Sequence, residues 1–369
     1  MVALSRVRHP SAGADLISTG HVKKLRVEGD TVRMDFNLRT GDPPDLVKRA
    51  RAAVSKVKGV GGVKIDVQLP QMSAGGAPGA QPRGAKPPKG GGLQPGSVPA
   101  PTPNPNLLPE VERIVAVSSG KGGVGKSMVA ANLAAALALG AGAGSSARRV
   151  GLLDADIYGP NIPRMFGVHA RPRVTGEKGS EMIEPLSAHG VRLMSLGFLL
   201  ARDQPAIMRG PLISGVLKQF LEQVDWGPLD CLVVDMPPGT GDAQLSLVQS
   251  VEVGGVVMVT TPQEVATGDV RRGVKMFERV NTRVLGIVEN MSGLACAHCG
   301  EVTNVFGSGG GERLASELKA PFLGRVPLDP AVSAAGDAGS PTVVSASGSP
   351  AARNLMELAA EVALRLAES

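Results

Sequence analysis

Two rhythms of apolar residues divide the chain. Near the N-terminus Val32, Met34, Phe36 and Leu38 alternate with polar residues, the period-two pattern of a strand with one buried face. "EGD" at Glu28–Asp30 separates this run from "HVKKLRV", which predicts a hairpin. Pro43 and Pro44 after Asp42 mark a helix start, and Leu46, Val47, Ala50, Val54 and Val57 then share one helical face. "VKIDVQL" from Val63 alternates again and closes a small α+β unit. Farther on, the alternation gives way to continuous apolar runs between helical segments. These are "RIVAVSS" from Arg113, "RRVGLLDAD" from Arg148, "VRLMSLG" from Val191, "DCLVVDMPP" from Asp230, "GGVVMVTTP" from Gly254, "RVLGIVENM" from Arg283 and "FLGRVPL" from Phe322. Strands without alternation are buried on both faces, so this part is expected to be α/β, a mostly parallel sheet flanked by helices. In such sheets ligands bind at the carboxyl ends of the strands.

Between the two rhythms, residues 70–108 are dominated by Pro, Gly, Ala and Ser, with almost nothing to bury. That composition predicts a disordered tether, with a mean span on the order of 35 Å as a flexible coil. The expected domains are therefore 1–69, the tether 70–108, and 109–369.

Composition narrows the function. With 43% hydrophobic residues in 369, the chain buries a sizeable core, and at 2% aromatics that core is Val, Leu, Ile and Ala. A formal charge of +6 over this length argues little for nucleic acid. The start, "MVALSRVRHPSAG", lacks the apolar stretch of a signal peptide. "MVAANLAAALALGAGAG" from Met128 is too short for a membrane span and reads as a buried helix. Three cysteines make no disulfide framework, and a reducing, cytoplasmic setting is expected.

The chemistry begins where "RIVAVSS" runs into "GKGGVGKS" and a helix follows. Strand, Gly-rich loop and helix make a phosphate cradle. Gly120, Gly122, Gly123 and Gly125, with Lys121 and Val124 between them, let backbone N–H groups turn toward phosphate oxygens, and the helix N-terminus adds its dipole. Lys126 is placed for the β- and γ-phosphates, and the Ser127 hydroxyl for Mg²⁺. Aspartates close the neighbouring strands: Asp154 and Asp156 in "GLLDAD", and Asp235 in "LVVD", the position that holds Mg²⁺ water. Gly239 is placed to offer an N–H to the γ-phosphate. Asp156 and Asp242 sit in loops able to sense it. The expected activity is ATP hydrolysis.

"KGGVGKS" resembles the deviant phosphate loop of the ParA, MinD and nitrogenase iron-protein class. In that class the additional lysine, here Lys121, crosses a dimer interface to the other subunit's ATP. The resemblance thus implies a homodimer.

Cys296 and Cys299 form a CxxC in "ACAHCGE". A lone CxxC is a redox pair, half a metal site or a chance pair. Two thiolates cannot close a tetrahedral site, and the chain has no second CxxC; two copies of the chain supply four thiolates, a set for a 4Fe–4S cluster or for zinc. His298, between them, reads as a solvent or outer residue, and Cys231 in "CLVVD" as inert core.

"SGKGGVGKS", "DADIYGPNIPRMFG", "RGP", "VVDMPPGTGD", "TTPQEVA", "VENMSG", "CAHCG", "FGSGGGE" and "PFLGRVPLDP" occur in this order. Together they resemble the Mrp family of ATP-binding iron–sulfur cluster carriers, over about residues 108–345. The resemblance implies an ATPase that holds a labile cluster between subunits and passes it to apo-proteins, and it gives Asn290 an adenine contact. The first unit resembles the small iron–sulfur assembly domain that often precedes this ATPase. It lacks the cysteine common near the helix start there, "TGDPPDLVKR" having none, which leaves docking as its expected role. A partition or positioning ATPase on membrane or DNA is the rival within the superfamily, and a dimer with structural zinc is the other. Leu355, Leu358, Val362 and Leu366 share a face of the last helix, but Glu357, Glu361 and Glu368 suit packing on the core better than an anionic membrane.

Overall fold

The computed structural model describes residues 2–5, 7, 14–37, 46–57, 59–68, 104, 107–142, 147–177, 180–199, 210–296 and 298–368. Two compact units emerge, Met1–Leu93 and Gln94–Ser369.

In the small unit, β1 (Val22–Glu28) and β2 (Thr31–Asn37) form the expected antiparallel hairpin, with a bulge between Lys23 and Arg26. Helix α1 (Leu46–Ser55) carries the chain across to β3 (Gly62–Gln68), which pairs with β2 in parallel. Val32, Met34 and Phe36 on one face of β2 are buried together with Leu46, Ala50 and Val54 of α1, a strand period of two meeting a helix period of four. Val57 lies beyond the helix end and is 43% exposed, so the apolar face is one turn shorter than expected. Leu38, Pro43 and Pro44 lie outside the described residues. Positive charge gathers in this unit rather than spreading along the chain. Residues 48–58 alone hold Lys48, Arg49, Arg51, Lys56 and Lys58, with no acidic residue among them.

The large unit is a three-layer α/β fold. In chain order it comprises β4 (Ile114–Ser119), α2 (Lys126–Ala138), β5 (Val150–Asp154), β6 (Leu186–Ala188), β7 (Val191–Ser195), α3 (Gly210–Gln223), β8 (Cys231–Asp235), α4 (Asp242–Ser250), β9 (Gly255–Thr260), α5 (Glu264–Arg279), β10 (Val284–Ala295), β11 (Val302–Thr303), α6 (Gly310–Leu318), β12 (Phe322–Leu328) and α7 (Pro350–Ala367). The sheet order is β12-β10-β9-β4-β8-β5-β7-β6. Every pairing from β12 to β7 is parallel, β6 is antiparallel at the edge, and β11 pairs antiparallel with the far end of β10.

The continuous apolar runs have their reason in the two cores. Val115, Val117, Leu152, Val233, Val257 and Val259 point into one, where α2 and α7 pack. Ile114, Ala116, Leu153, Leu232, Val234, Val256 and Met258 point into the other, with Phe220 of α3, Leu247 of α4, Phe277 of α5 and Leu314 of α6. Sandwiched between sheet and α7, α2 is apolar nearly all round. Leu355, Leu358, Val362 and Leu366 of α7 are buried in that core, as the pattern of the last helix predicts. No helix among the described residues is long and apolar enough to cross a membrane.

Phe277 is fully buried at the centre of the second core. Phe277→Ala should lower stability by about 3–5 kcal/mol, read as a shift of the urea midpoint with unchanged slope.

Candidate functional site

The carboxyl ends of the strands meet in a polar row. In register, Asp235 of β8 lies beside Asp154 of β5, and Asp154 beside Ser195 of β7. Asp154 and Asp235 are each the last residue of an otherwise apolar strand, and Ser195 ends the next one, so the sheet itself lines up the polar groups.

Between β4 and α2, residues 120–125 form the loop. Gly123 and Gly125 take left-handed φ of 80° and 83°, which glycine adopts at no steric cost. Gly120 is required by contact: a Cβ there would lie 2.3 Å from the backbone carbon of Asp269 on α5. Lys121 is half-buried, with no ion-pair partner among the described residues. The Ser119 hydroxyl donates to the carbonyl of Lys121 at 3.0 Å and stiffens the loop's entry. Val124 is buried.

Lys126 opens α2 and is itself buried. Its Nζ donates to Asp235 Oδ1 at 2.6 Å and lies 3.7 Å from Asp156 Oδ2 and 3.5 Å from Ser127 Oγ. Asp154 is buried behind them. It accepts from Ser195 Oγ at 2.9 Å, from the amide of Asp156 at 3.2 Å and from the amide of Ile162 at 3.3 Å. Burial first, and then the neighbouring Asp235 carboxylate, push Asp154 up to about 8 against the pull of Ser195 and Lys126. Burial also raises Asp235, and the Lys126 ammonium works the other way. Two carboxylates, Asp235 and Asp156, thus lie against one ammonium with Asp154 behind them, and Asp235 Oδ2 is buried with no hydrogen-bond partner. An unmatched oxygen in an acid-rich pocket beside the Ser127 hydroxyl fits a divalent cation.

Two expectations meet a different geometry. The amide of Gly239, at φ 92°, donates to the carbonyl of Ser119 at 3.0 Å, so the Asp235–Gly239 loop is tied to the end of β4 and its N–H is engaged there. Asn290 Nδ2 donates to the carbonyl of Val124 at 2.8 Å, and a Cβ on Gly125 would fall 2.2 Å from that nitrogen. Asn290 therefore braces the phosphate loop from below. Asp242 opens α4, and its side chain lies outside the described residues.

The cysteines stand apart, on a strand that is longer than its apolar run. β10 continues past Met291 to Ala295 and turns back through β11, with Cys296 and Cys299 in the turn. The amide of Cys296 donates to Glu301 and that of Gly300 to Cys296. Both thiols are exposed. The amide of Cys299, then that of His298, holds the Cys296 thiol below the ordinary thiol range. His298 is exposed beside them. Cys231, by contrast, is buried at the start of β8, where desolvation pushes its thiol up to about 12. No cluster of three or more His, Cys, Asp or Glu able to hold a metal occurs among the described residues.

Sequence reasoning passed over three supporting residues. Ser195 shows only as the polar end of "VRLMS". Gln244 Nε2 reaches the carbonyl of Pro237 at 2.5 Å and props the loop after Asp235. Glu289, fully buried, accepts from Gly309 N at 3.0 Å, Gly311 N at 2.6 Å and Ser292 Oγ at 2.7 Å. Its own signal is a charge inside the apolar run "LGIVEN".

A parallel sheet with a Gly-rich loop, an invaginated lysine and an acidic residue at the end of the adjacent strand defines a P-loop NTPase. Residues 110–363 match the family described as NUBPL iron-transfer P-loop NTPase, and residues 1–67 match the family described as iron–sulfur cluster assembly protein. The chain belongs to the iron-transfer P-loop NTPase family. It is 42% identical over 370 residues to an iron–sulfur cluster carrier protein of Synechocystis, covering 98% of this chain and 96% of that one. It is 44% identical to the mouse iron–sulfur cluster transfer protein NUBPL, over 72% of this chain and 82% of the mouse protein. Among solved structures, a nucleotide-binding protein of Archaeoglobus fulgidus in complex with ADP superposes with a TM-score of 0.54 at 40% identity, over 63% of this chain and 88% of that one.

The folded chain holds a proton on Asp154 that the unfolded chain gives up near pH 4. Its contribution to stability is full below that and is lost as pH rises through about 8. Between pH 6 and 9 the melting temperature of the nucleotide-free protein should fall by a few degrees, and Asp154→Asn should flatten that fall; differential scanning calorimetry reads both.

Proposed function

We propose that the protein is an ATP-hydrolysing carrier that holds an iron–sulfur cluster between two copies of the chain and delivers it to apo-proteins. One observation carries this reading: two exposed thiols, one with a favoured thiolate, sit in the turn that directly follows the strand bracing the phosphate loop. The cluster is cargo, so its ligands belong at an exposed tip rather than in a core. Each chain brings Cys296 and Cys299, and two chains bring the four thiolates of a 4Fe–4S site. Val302, Val305 and Phe306, exposed on the same excursion, suit self-association.

In this reading ATP lies over Gly120–Ser127, with Lys126 leaving Asp235 for the β- and γ-phosphates. Ser127 and Asp235 would hold Mg²⁺, which would supply neutralising charge at the phosphates. Asp156 and Asp242 respond to the γ-phosphate. Gly239 serves there only once its bond to Ser119 opens. Lys121 reaches the nucleotide of the partner chain, a use consistent with a lysine that has no ion pair among the described residues of its own chain. Asn290 keeps its adenine contact as a second duty beside its bond to Val124. The small unit serves docking to clients, in a reducing, cytoplasmic setting, with neither nucleic acid nor membrane as partner.

Anaerobic reconstitution tests the reading. Iron and sulfide should approach one cluster per two chains, with mass by light scattering matching a dimer, and the cluster should pass to an apo-protein. Cys296→Ser and Cys299→Ser should each strip the cluster, because either removes two of four ligands, while Cys231→Ser retains it. A fully loaded monomer, or stoichiometric zinc in place of iron after anaerobic purification, would overturn it.

Lys121→Ala should slow ATP hydrolysis on the order of a hundredfold while nucleotide binding changes little, since only transition-state charge loses a partner. Wild-type turnover in Lys121→Ala chains would remove the contact across the dimer.

A further inference from the structure

Three consecutive residues of β10 join the two functional regions. Asn290 holds the phosphate loop through Val124, and its nitrogen fills the space under Gly125. The Met291 methyl packs toward the same glycine, 3.7 Å from where a Cβ would stand. Glu289 accepts the amides of Gly309 and Gly311 at the start of α6. Arg325 approaches Glu289 at 3.6 Å and also pairs with Glu312 of α6.

The excursion that carries the cysteines parts from β9 after Glu289, shifts register against β12 between Asn290 and Leu294, and reaches α6 at Gly309. Its outgoing end is thus fastened to the phosphate loop and its returning end to the residue next door. The exit is a sharp bend, with Met291 at φ 57° and Gly293 at φ 77°. The glycines of "GSGGGE" make the return possible: a Cβ on Gly310 would lie 2.1 Å from the carbonyl oxygen of Pro262, and one on Gly311 2.9 Å from Glu289 Cβ. Both ends therefore rest on packed, hydrogen-bonded contacts that leave little slack.

We propose that Glu289, Asn290 and Met291 act as a positioning joint through which the state of the phosphate loop sets how tightly the Cys296–Cys299 turn holds its cluster, and the reverse. This rests on the carrier reading above. Movement of the loop at Val124–Gly125 shifts the exit of the excursion, while Glu289 fixes its return, so the turn tilts rather than translates. Linkage makes the effect reciprocal: whatever factor ADP exerts on cluster release, the cluster exerts on ADP affinity.

The test uses the full chain, reconstituted anaerobically. ADP affinity is measured by calorimetry with and without the cluster, and cluster affinity is measured by competition with an iron chelator with and without ADP. In the wild type each pair should differ by the same factor, about fivefold or more. Asn290→Ala should bring both ratios below about twofold, even where ADP affinity itself falls, because a ratio cancels a uniform loss. Met291→Ala and Glu289→Gln should reduce the ratios as well, and serve if Asn290→Ala does not fold. Trp226→Ala, a buried core change beside Gly151 of β5 on the opposite half of the sheet from β10, should keep the wild-type ratio. If both ligands bind and neither affects the other, or if all three joint variants keep the wild-type ratio, the joint is overturned while the carrier reading stands. If no cluster binds, the carrier reading itself falls.

Discussion

A buried ammonium has to be paired, and the partners of Lys126 fix much of what surrounds it. Its contact with Asp235 sits at the end of a strand whose other residues are apolar, so the carboxylate cannot retreat into the sheet or reach bulk water. Asp154 behind it gives up its charge instead, held as an acid by burial and steadied by Ser195. The outcome is a preset electrostatic pocket that is short of positive charge. A divalent cation answers that shortage, and the glycine loop supplies amides to a phosphate without side chains in the way.

Much of this was legible because burial on both faces leaves a plain mark. Seven apolar runs became seven strands, and the aspartates that end two of them meet the lysine that opens α2. What escaped depends on neighbours distant in the chain. The length of β10 is one case: past Met291, Ser292 and Gly293 break the apolar run, and pairing with β11 and β12 carries the strand on to Ala295. Glu289 is another, a charge inside an apolar strand whose partners are amides twenty residues on. The reading of Gly239 as a γ-phosphate donor comes from its loop after Asp235, and that of Asn290 as an adenine contact from resemblance. Their hydrogen bonds to Ser119 and Val124 follow from the folded loop and leave no trace in spacing.

The small unit follows a different logic. Among the described residues its core is eight buried side chains, Leu4 of the short helix Val2–Ser5 among them, packed with α1 and three strands. Its helix is basic, with Arg49 and Arg51 exposed, and residues 1–69 hold no cysteine.

The three thiols of the chain differ sharply in reach. Cys231 is sealed between β4 and β5 with its proton held to high pH, whereas the pair at the turn is open to solvent. An alkylating reagent should therefore count two sites on the native chain and three on an opened one. The slow third modification would clock the separation of the central strands, a stability meter already installed in the sequence that needs no added label.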